Sequence, residues 1–528
     1  MNFAARASFG NSRRNPVFAF GFLVLFVVGA YKCAGYVISG DMTSLAFVAM
    51  AFVGGAFIVA MLNNWRNGLY VFLTWLLFED LARKFLGNNM AIFFAKDFLA
   101  AIVYLSFLVA YRRKEVSSFR PPFLVPVLVF FWFGVMQVFN PASSHLGYGF
   151  LGLKLYFYYV PLTFVGYAFL ESEAVLRRFF SFILVLSVTI ISLGIAQSIL
   201  GHTFLNPERP AEELRELSTL YRVAPISGAI VYRPTSVFVS DGRYGDFLLI
   251  AWMMIFGFSG YLFLRHRRGR LLAFIALAVA VGGIALSASR GTLMWSTGSA
   301  IVGSLAFFWG APWRQREVVR VLRTVQRTAL GIALALVLLF FIFPDALLAR
   351  FAFYSETLSP WSAASELQHR TWNYPLANFL GAFGYDRWLY GYGIGTTSLG
   401  AQYVSALFHT KPAVVGVESG FGTLVVEMGV GGLILWLVMS AAILVSAWQV
   451  VKKLRGSPWF PLAFMIFWYA GILLLPRTFT GIQGYQDYVV NAFFWLLLGI
   501  LFRLPTLVPS AQFAAGAQAL PKYSPRMR

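Results

Sequence analysis

Long apolar runs recur along this chain from the N-terminus almost to the end. Each run has about 17 to 25 residues, the length that an α-helix needs to cross a hydrocarbon core about 30 Å thick. Hydrophobic residues make up 59% of the 528 residues and charged residues only 12%. This composition excludes an ordinary soluble domain. It predicts an all-α, polytopic membrane protein with about 12–14 transmembrane helices.

The apolar runs define the predicted organisation of the chain. They lie near 17–38, 43–62, 68–82, 90–111, 121–139, 150–170, 179–201, 244–264, 270–288, 291–310, 328–344, 419–449, 458–475 and 487–502. The corresponding regions are N-terminal transmembrane helices (1–201), a periplasmic loop (202–243), core transmembrane helices (244–344), a large periplasmic loop (345–418), C-terminal transmembrane helices (419–503) and a cytoplasmic tail (504–528). Short helices are predicted inside both loops, at "PAEELREL" and "SAASELQHRTWNYPLANFLGAF". Loops of this length in a membrane bundle are uncommon unless they are functional.

The positive charge of the chain predicts its orientation. The formal net charge is +21, and clusters of Lys and Arg such as "VLRR" and "VKKLR" fall in alternate loops. The positive-inside rule then places both termini in the cytoplasm. The N-terminal run is predicted to be a retained helix, and the single cysteine, Cys33, excludes an intrachain disulfide. No binding motif accompanies the basic clusters, so we expect no nucleic-acid partner.

Four arginines fall near the non-cytoplasmic membrane boundary in this topology: Arg233, Arg243, Arg290 and Arg477. A guanidinium can donate two parallel hydrogen bonds to phosphate oxygens and does not lose its proton. The four therefore predict an anion-binding site. Each could instead extend to lipid headgroups, but Arg290 lies in a short turn between small residues, where that movement has little room.

Two features of the large loop could contribute to the same site. "GYGIGTTS" contains Gly391, Gly393 and Gly395, whose spacing permits close approach of the backbone to a ligand. Glu418 begins the next helix and could act as a general base on a sugar hydroxyl. It could equally be an acid that stabilises a helix N-terminus.

The sequence predicts neither a metal site nor a cofactor. The five histidines have none of the spacings that are typical of zinc motifs. Phosphate-binding loops, nucleotide fingerprints and nucleophile elbows are also missing from the sequence. Any chemistry would therefore use a donor that arrives already activated.

Several segments together resemble the O-antigen ligase and polymerase superfamily of bacterial envelope glycosyltransferases. They are "SASRG" at 287–291, "RPTSVF" at 233–238, the large late loop with "GYGIG" at 391–395, and "VESGFGTLVVEMGVGGLILWL" at 417–437. The last segment is similar to the family pattern HNxxLxxLxExGxxGxxxxL, with Glu427, Gly429 and Gly432 in matching positions. The resemblance covers about residues 230 to 450.

This resemblance implies a GT-C-like fold and a metal-independent transferase in the bacterial inner membrane. Its donor would be an undecaprenyl-diphosphate-linked glycan, and its acceptor a glycan or another lipid-linked glycan. Arg233, Arg243, Arg290 and Arg477 would hold the diphosphate, and the bilayer and other polysaccharide assembly proteins would be partners. Where ligases of the family have His, this chain has Glu418. Either Glu418 acts as the base, or the reaction needs no base there, or the activity is altered. The difference favours polymerisation of repeat units, or a divergent exopolysaccharide member of the family, over ligation.

Two other functions remain open at this stage. A transporter or flippase of a lipid-linked or polyanionic saccharide would need charged residues at mid-bilayer depth, and Lys32, Lys96 and Asp97 are candidates. A non-catalytic scaffold of a polysaccharide assembly complex would not need Arg290. The concentration of charge in the predicted periplasmic loops favours chemistry or binding at one face.

Overall fold

A computed structural model describes residues 61–62, 64–86, 90–207, 220–265, 269–311 and 340–507, together with positions 35, 39, 55, 59, 326, 330, 331 and 337. Several predictions concern residues outside these ranges. They are the first apolar run with Cys33 and Lys32, most of the runs near 43–62 and 328–344, the segment "PAEELREL" and the tail from residue 508.

The described residues form helices and one small sheet. The first half contains α1 (Trp65–Leu86), α2 (Met90–Arg112), α3 (Leu124–Val138), α4 (Leu146–Phe157), α5 (Leu162–Phe169), α6 (Glu173–Leu200) and the antiparallel strands β1 (Tyr221–Val223) and β2 (Ile230–Tyr232). The second half contains α7 (Asp241–Arg265), α8 (Arg270–Leu286), α9 (Arg290–Gly310), α10 (Pro344–Leu358), α11 (Tyr374–Gly381), α12 (Ala401–Phe408), α13 (Gly420–Lys453), α14 (Phe460–Ile472) and α15 (Tyr488–Arg503). Short π-helical turns lie at His369–Asn373 and Leu473–Arg477.

Six helical segments of the described chain are long and apolar enough to cross a membrane. They are Ala91–Arg112, Glu173–Leu200, Asp241–Arg265, Gly420–Lys453, Phe460–Thr480 and Tyr488–Leu507. Two shorter apolar helices, α3 and α8, accompany them. The helical class and the membrane character predicted from the sequence are therefore confirmed.

The core of the bundle surrounds α7 and α15. Nearly every residue of α15 is buried, and it packs against α5, α7 and α14. Small residues make the contact with α5 close: a Cβ on Gly166 would lie 2.3 Å from the carbonyl oxygen of Leu496, and one on Gly499 would lie 2.0 Å from that of Thr163. Such close backbone approach is typical of membrane helices, where packing replaces the hydrophobic effect.

One predicted helix was wrong, and one helix of the large loop was not located from the sequence. The apolar run at 150–170 forms two helices, α4 and α5, rather than one. The break precedes Pro161, which lacks the N–H group that a continuing helix would need. The large loop was predicted to contain short helices, and Pro344–Leu358 forms one of them, α10, at a position that the sequence did not indicate; Pro is well suited to its first helical turn.

The longest helix, α13, is broken at Gly429. Its 34 residues would extend about 51 Å, well beyond a hydrocarbon core of about 30 Å. Gly429 has φ 70° and ψ −177°, outside the helical region. At this break the large loop pairs with the helix: Tyr392 N–H donates to Val426 O (2.9 Å), and Val430 N–H donates to Trp388 O (3.1 Å). The loop therefore replaces helical hydrogen bonds and is fixed to α13.

Candidate functional site

A cavity of about 950 Å³ lies where the α8–α9 turn, the β1–β2 hairpin, α10 and the segment after α14 meet. Its lining is strongly basic. Five arginines contribute to it: Arg222, Arg233, Arg290, Arg370 and Arg477. The structure thus brings together three of the four arginines predicted from the sequence and adds two more.

The α8–α9 turn presents Arg290 at the start of a helix. Ser289 caps α9 by accepting a hydrogen bond from Thr292 N–H at 3.4 Å, and Ser289 N–H donates to Ser287 Oγ at 3.2 Å. Ala288 has φ +50°, a left-handed conformation that is strained for a residue with a side chain. Arg290 is consequently the first residue of α9, where the helix dipole adds positive potential.

The guanidinium of Arg290 lies between an aromatic ring and a carboxylate. Its Cζ is 5.5 Å from the ring centroid of Phe353, and its Nη1 is 2.9 Å from Glu366 Oε2. Glu366 also pairs with Arg370, whose Nε is 3.2 Å from the same oxygen. Partial burial opposes ionisation of Glu366, but the hydrogen bonds and charges of Arg290 and Arg370 hold its pKa below the ordinary value.

The β1–β2 hairpin carries two of the five arginines. Arg222 lies in β1, and Arg233 follows β2 directly. The turn between the strands is anchored to α10, because Glu356 accepts hydrogen bonds from Ile226 N–H (2.7 Å) and Ser227 N–H (3.0 Å). A hydrogen bond from the Ser227 side chain, together with these backbone hydrogen bonds, lowers the pKa of Glu356 below its ordinary value. α10 thus fixes the hairpin relative to the cavity.

Arg477 contributes to the cavity from the segment after α14. It ends the π-helical turn Leu473–Arg477 after α14 and forms an ion pair with Asp246 of α7. A Cβ on Gly291 would lie 4.0 Å from Arg477 Nη1. The Arg477 guanidinium is therefore next to the N-terminus of α9. An anion could contact both the α9 N-terminus and Arg477 at this place.

The cavity retains positive charge after its ion pairs are counted. Arg233 pairs with Asp241, and Arg477 pairs with Asp246. Together with Glu366, these carboxylates oppose five arginines. A polyanionic group of two or more charges would match the remaining positive charge.

A further arginine, which the sequence reading missed, positions the elements behind the cavity. Arg350 of α10 is only 4% exposed. Its guanidinium donates to the carbonyl oxygens of Leu286 (3.0 Å), Tyr232 (3.2 Å) and Ser198 (3.4 Å). These atoms lie near the ends of α8, β2 and α6. Arg350 thus holds the Arg290 turn and the hairpin in one arrangement.

Arg243 was predicted to bind the diphosphate, but the structure places it in a different environment. It does not line the cavity; its Nη1 is 2.9 Å from Asp80 Oδ2, its Nε is 3.1 Å from Asp487 Oδ2, and its Cζ is 4.6 Å from the ring centroid of Tyr488. Both carboxylates are almost fully buried. Arg243 therefore neutralises buried acids of α1 and the α15 N-terminus.

The glycines of the large loop approach the protein's own backbone. Gly391, Gly393 and Gly395 all have positive φ, at 78°, 103° and 87°. A Cβ on Gly391 would lie 2.4 Å from Glu427 O, and one on Gly395 would lie 1.9 Å from Tyr148 O. These glycines were predicted to allow close approach of a ligand. In the structure they instead allow the loop to pack closely between α4 and α13.

Glu427 holds this loop from the inside of the protein. The side chain is fully buried, and Oε1 accepts hydrogen bonds from Thr397 N–H (3.0 Å), Thr397 Oγ1 (3.0 Å) and Ser398 Oγ (2.8 Å). Oε2 accepts from the Tyr156 hydroxyl at 3.2 Å. These donors satisfy a buried carboxylate, which would otherwise be strongly destabilising. The matching position in the family pattern is thus a structural residue in this chain.

Glu418 is exposed and does not line the cavity. Its backbone N–H donates to Asn378 Oδ1 at 3.3 Å, and its carboxylate hydrogen-bonds the Tyr374 hydroxyl, which raises the pKa of Tyr374. The neighbouring Ser419 donates to the carbonyl of Phe479, a residue of the cavity wall. Glu418 therefore lies outside the cavity lining, and the ring of its partner Tyr374 lies between it and Arg370, whose Cζ is 5.6 Å from the ring centroid.

Within the described ranges, no group of three or more His, Cys, Asp or Glu residues is placed to hold a metal ion. The ionised groups that line the cavity are the five guanidinium groups and the carboxylate of Glu366, together with the N-terminus of α9. Neither the models of known protein families nor the curated proteins match this chain, so its function rests on the geometry of this site.

Proposed function

We propose that this chain is a glycosyltransferase that polymerises, or ligates, undecaprenyl-diphosphate-linked oligosaccharide units at the periplasmic face of the bacterial inner membrane. The observation that carries the proposal is the cavity with five arginines, in which Arg290 lies at the N-terminus of α9. Both termini would be cytoplasmic. The protein would act in exopolysaccharide or O-antigen-type biosynthesis, with the bilayer and other assembly proteins as partners.

The cavity suits a reaction in which a diphosphate is the leaving group. An acceptor hydroxyl attacks the anomeric carbon of the donor, the bond from that carbon to the phosphate oxygen breaks, and the diphosphate leaves with the electron pair. Arginine donors aimed at the leaving oxygens stabilise the charge that grows in the transition state. Because arginine side chains supply this stabilisation, the proposed step does not depend on a bound metal ion.

The position of the cavity fits an amphiphilic donor. α9 starts at Arg290 and continues through an apolar helix whose side chains Ile301, Leu305 and Phe308 are exposed. A diphosphate at the arginines would leave a polyprenyl chain beside this apolar face. An anionic head and an apolar tail would then both be accommodated.

A transporter or flippase is the second candidate, because charged residues lie inside the helical bundle. Lys96 is 3.1 Å from Glu79, and Arg243 is 2.9 Å from Asp80, with all four side chains largely buried. Intramembrane charges often mark pathways for ions or substrates. Each of these four charges has a partner of opposite sign, which favours a structural role.

The experiment that separates the candidates uses purified full-length protein in nanodiscs and a labelled undecaprenyl-diphosphate oligosaccharide, without added metal. A ladder of extended lipid-linked glycans indicates a polymerase, and transfer only to a separately added acceptor indicates a ligase. Movement of the labelled lipid across a liposome membrane without any transfer product would refute the proposal and establish a transporter.

A further inference from the structure

Glu366 is the one carboxylate among the cavity-lining residues in the described part of the chain. Backbone contacts fix its position: its N–H donates to Thr357 O at the end of α10 (3.0 Å), and its carbonyl accepts from Arg370 N–H (2.9 Å). Its side chain is 39% exposed. A carboxylate is therefore held at the wall of an otherwise basic cavity, with access to whatever the cavity binds.

The carboxylate of Glu366 occupies the place of an anionic ligand. Arg290 and Arg370 make their shortest contacts with the same oxygen, Oε2, at 2.9 and 3.2 Å. A diphosphate that binds Arg290 must compete with this ion pair. Because the pair is partly exposed, it is weak enough to be exchanged for a ligand with more negative charge.

We propose that Glu366 is the general base of the transfer and that Arg290 and Arg370 hold it until the donor diphosphate takes its place. The inference rests on the proposed function of the cavity and identifies the residue that accepts the acceptor's proton. As the acceptor oxygen bonds to the anomeric carbon, its proton moves to the Glu366 carboxylate. The electron pair of the broken carbon–oxygen bond leaves with the diphosphate.

The charges around Glu366 would make its carboxylate a stronger base only when the donor is bound. Without donor, Arg290 from α9 and Arg370 from the same turn keep its pKa low, and the carboxylate is a poor base. Arg222, Arg233 and Arg477 line the same cavity and act in the same direction. A bound diphosphate would offset these charges, so the pKa of Glu366 would rise and the carboxylate would become a stronger base when the substrate is in place.

The chain offers a matched control in Glu418. It lies on the same large loop and carries the same functional group, but it is exposed and outside the cavity lining. Neutralising either residue changes the net charge equally. A difference between Glu366→Gln and Glu418→Gln therefore reports position in the cavity rather than overall charge.

The test combines binding and turnover in full-length protein in nanodiscs. Binding is measured with inorganic pyrophosphate and with farnesyl diphosphate, and turnover with the labelled undecaprenyl-diphosphate oligosaccharide. For Glu366→Gln we expect Kd for both probes to fall about three- to tenfold, because the competing carboxylate is neutral, and kcat to fall about 10²–10⁴-fold. Glu418→Gln should leave both within about twofold of wild type.

Two further readouts exclude a merely structural role. Glu366→Asp keeps a carboxylate and should retain more activity than Glu366→Gln at an unchanged melting temperature. The acidic limb of the wild-type kcat profile should disappear in Glu366→Gln.

Wild-type kcat in Glu366→Gln, with product still formed by wild type, would overturn the base assignment and leave the proposed function standing. Weaker pyrophosphate binding by Glu366→Gln would overturn the exchange. Absence of any wild-type product with a matched donor and acceptor would refute the proposed function and the base together.

Discussion

Replacing Arg290 by lysine keeps the positive charge at the start of α9 but removes the planar fork that can donate two parallel hydrogen bonds to a diphosphate. The lysine ammonium would still be attracted to Glu366, which lies 2.9 Å from the present guanidinium. The variant therefore separates charge from geometry. We expect it to fold and insert as the wild type does, and to lose most of its transferase activity.

The magnitudes follow from the surroundings of Arg290. Its ion pair with Glu366 involves side chains that are 25% and 39% exposed, and solvent screening limits such a pair to about 0–1 kcal/mol of stability. In contrast, removing one preorganised donor to a developing oxyanion costs about 2.7–4 kcal/mol, or about 10²–10³ in kcat. The effect on activity should thus exceed the effect on stability.

The assay compares product ladders and thermal melting curves of wild type, Arg290→Lys and Arg290→Ala in the same nanodiscs. The expected result is a melting temperature within a few degrees of wild type for both variants and a loss of about two orders of magnitude or more in product. Full activity in Arg290→Lys would refute bidentate recognition of the diphosphate. Full activity in Arg290→Ala would refute the assignment of the cavity itself.

Three further predictions concern stability. Arg243→Met should destabilise the fold by about 3–5 kcal/mol, because it leaves the buried carboxylate of Asp487 without its arginine partner and Asp80 with Arg83 alone; a melting temperature equal to wild type would contradict this. Gly395→Ala should lower the yield of folded protein sharply, since the residue has φ +87° and the new Cβ would lie 1.9 Å from Tyr148 O; normal size-exclusion behaviour would contradict the packing role. The ion pair of Glu366 should contribute well under 1 kcal/mol to the free energy of unfolding. This contribution is fully present above the ordinary glutamate pKa of about 4.3. It is lost as the pH falls through the lowered pKa of Glu366 in the folded protein. The difference in melting temperature between wild type and Glu366→Gln should therefore shrink on acidification, and a difference that grows would contradict the direction of the pKa shift.

The membrane helices could be predicted from sequence because hydropathy is a local property. The runs at 90–111, 270–288 and 291–310 correspond within a few residues to α2, α8 and α9. The break between α4 and α5 was missed, since hydropathy does not change where Pro161 interrupts the helix. α10 was missed because only one face of this 15-residue helix needs to be apolar when it packs on the hairpin.

The site could be predicted only in part, because its contacts join distant segments. Arg290 was identifiable from an isolated charge between apolar runs. Arg243 was grouped with it as a guanidinium near the same predicted membrane boundary, but its partner Asp80 is 163 positions away. Glu366 and Arg370 lie four residues apart in a segment with helical spacing, and that spacing of opposite charges was the available signal. Nothing in the sequence indicated that this pair would face Arg290.

The break in α13 sets an order for the making of the protein. Tyr392 and Trp388 leave the ribosome before Val426 and Val430, whose peptide groups they later satisfy across the break. Peptide groups without partners are strongly disfavoured at the edge of lipid. The large loop must therefore reach its side of the membrane before the hydrogen bonds at the break in α13 can form. Synthesis from the N-terminus produces the loop before α13, which is the order required. The arginine cavity takes Glu366 and Arg370 from the same loop and Arg477 from a segment made after α13, so it is complete only when both segments are in place.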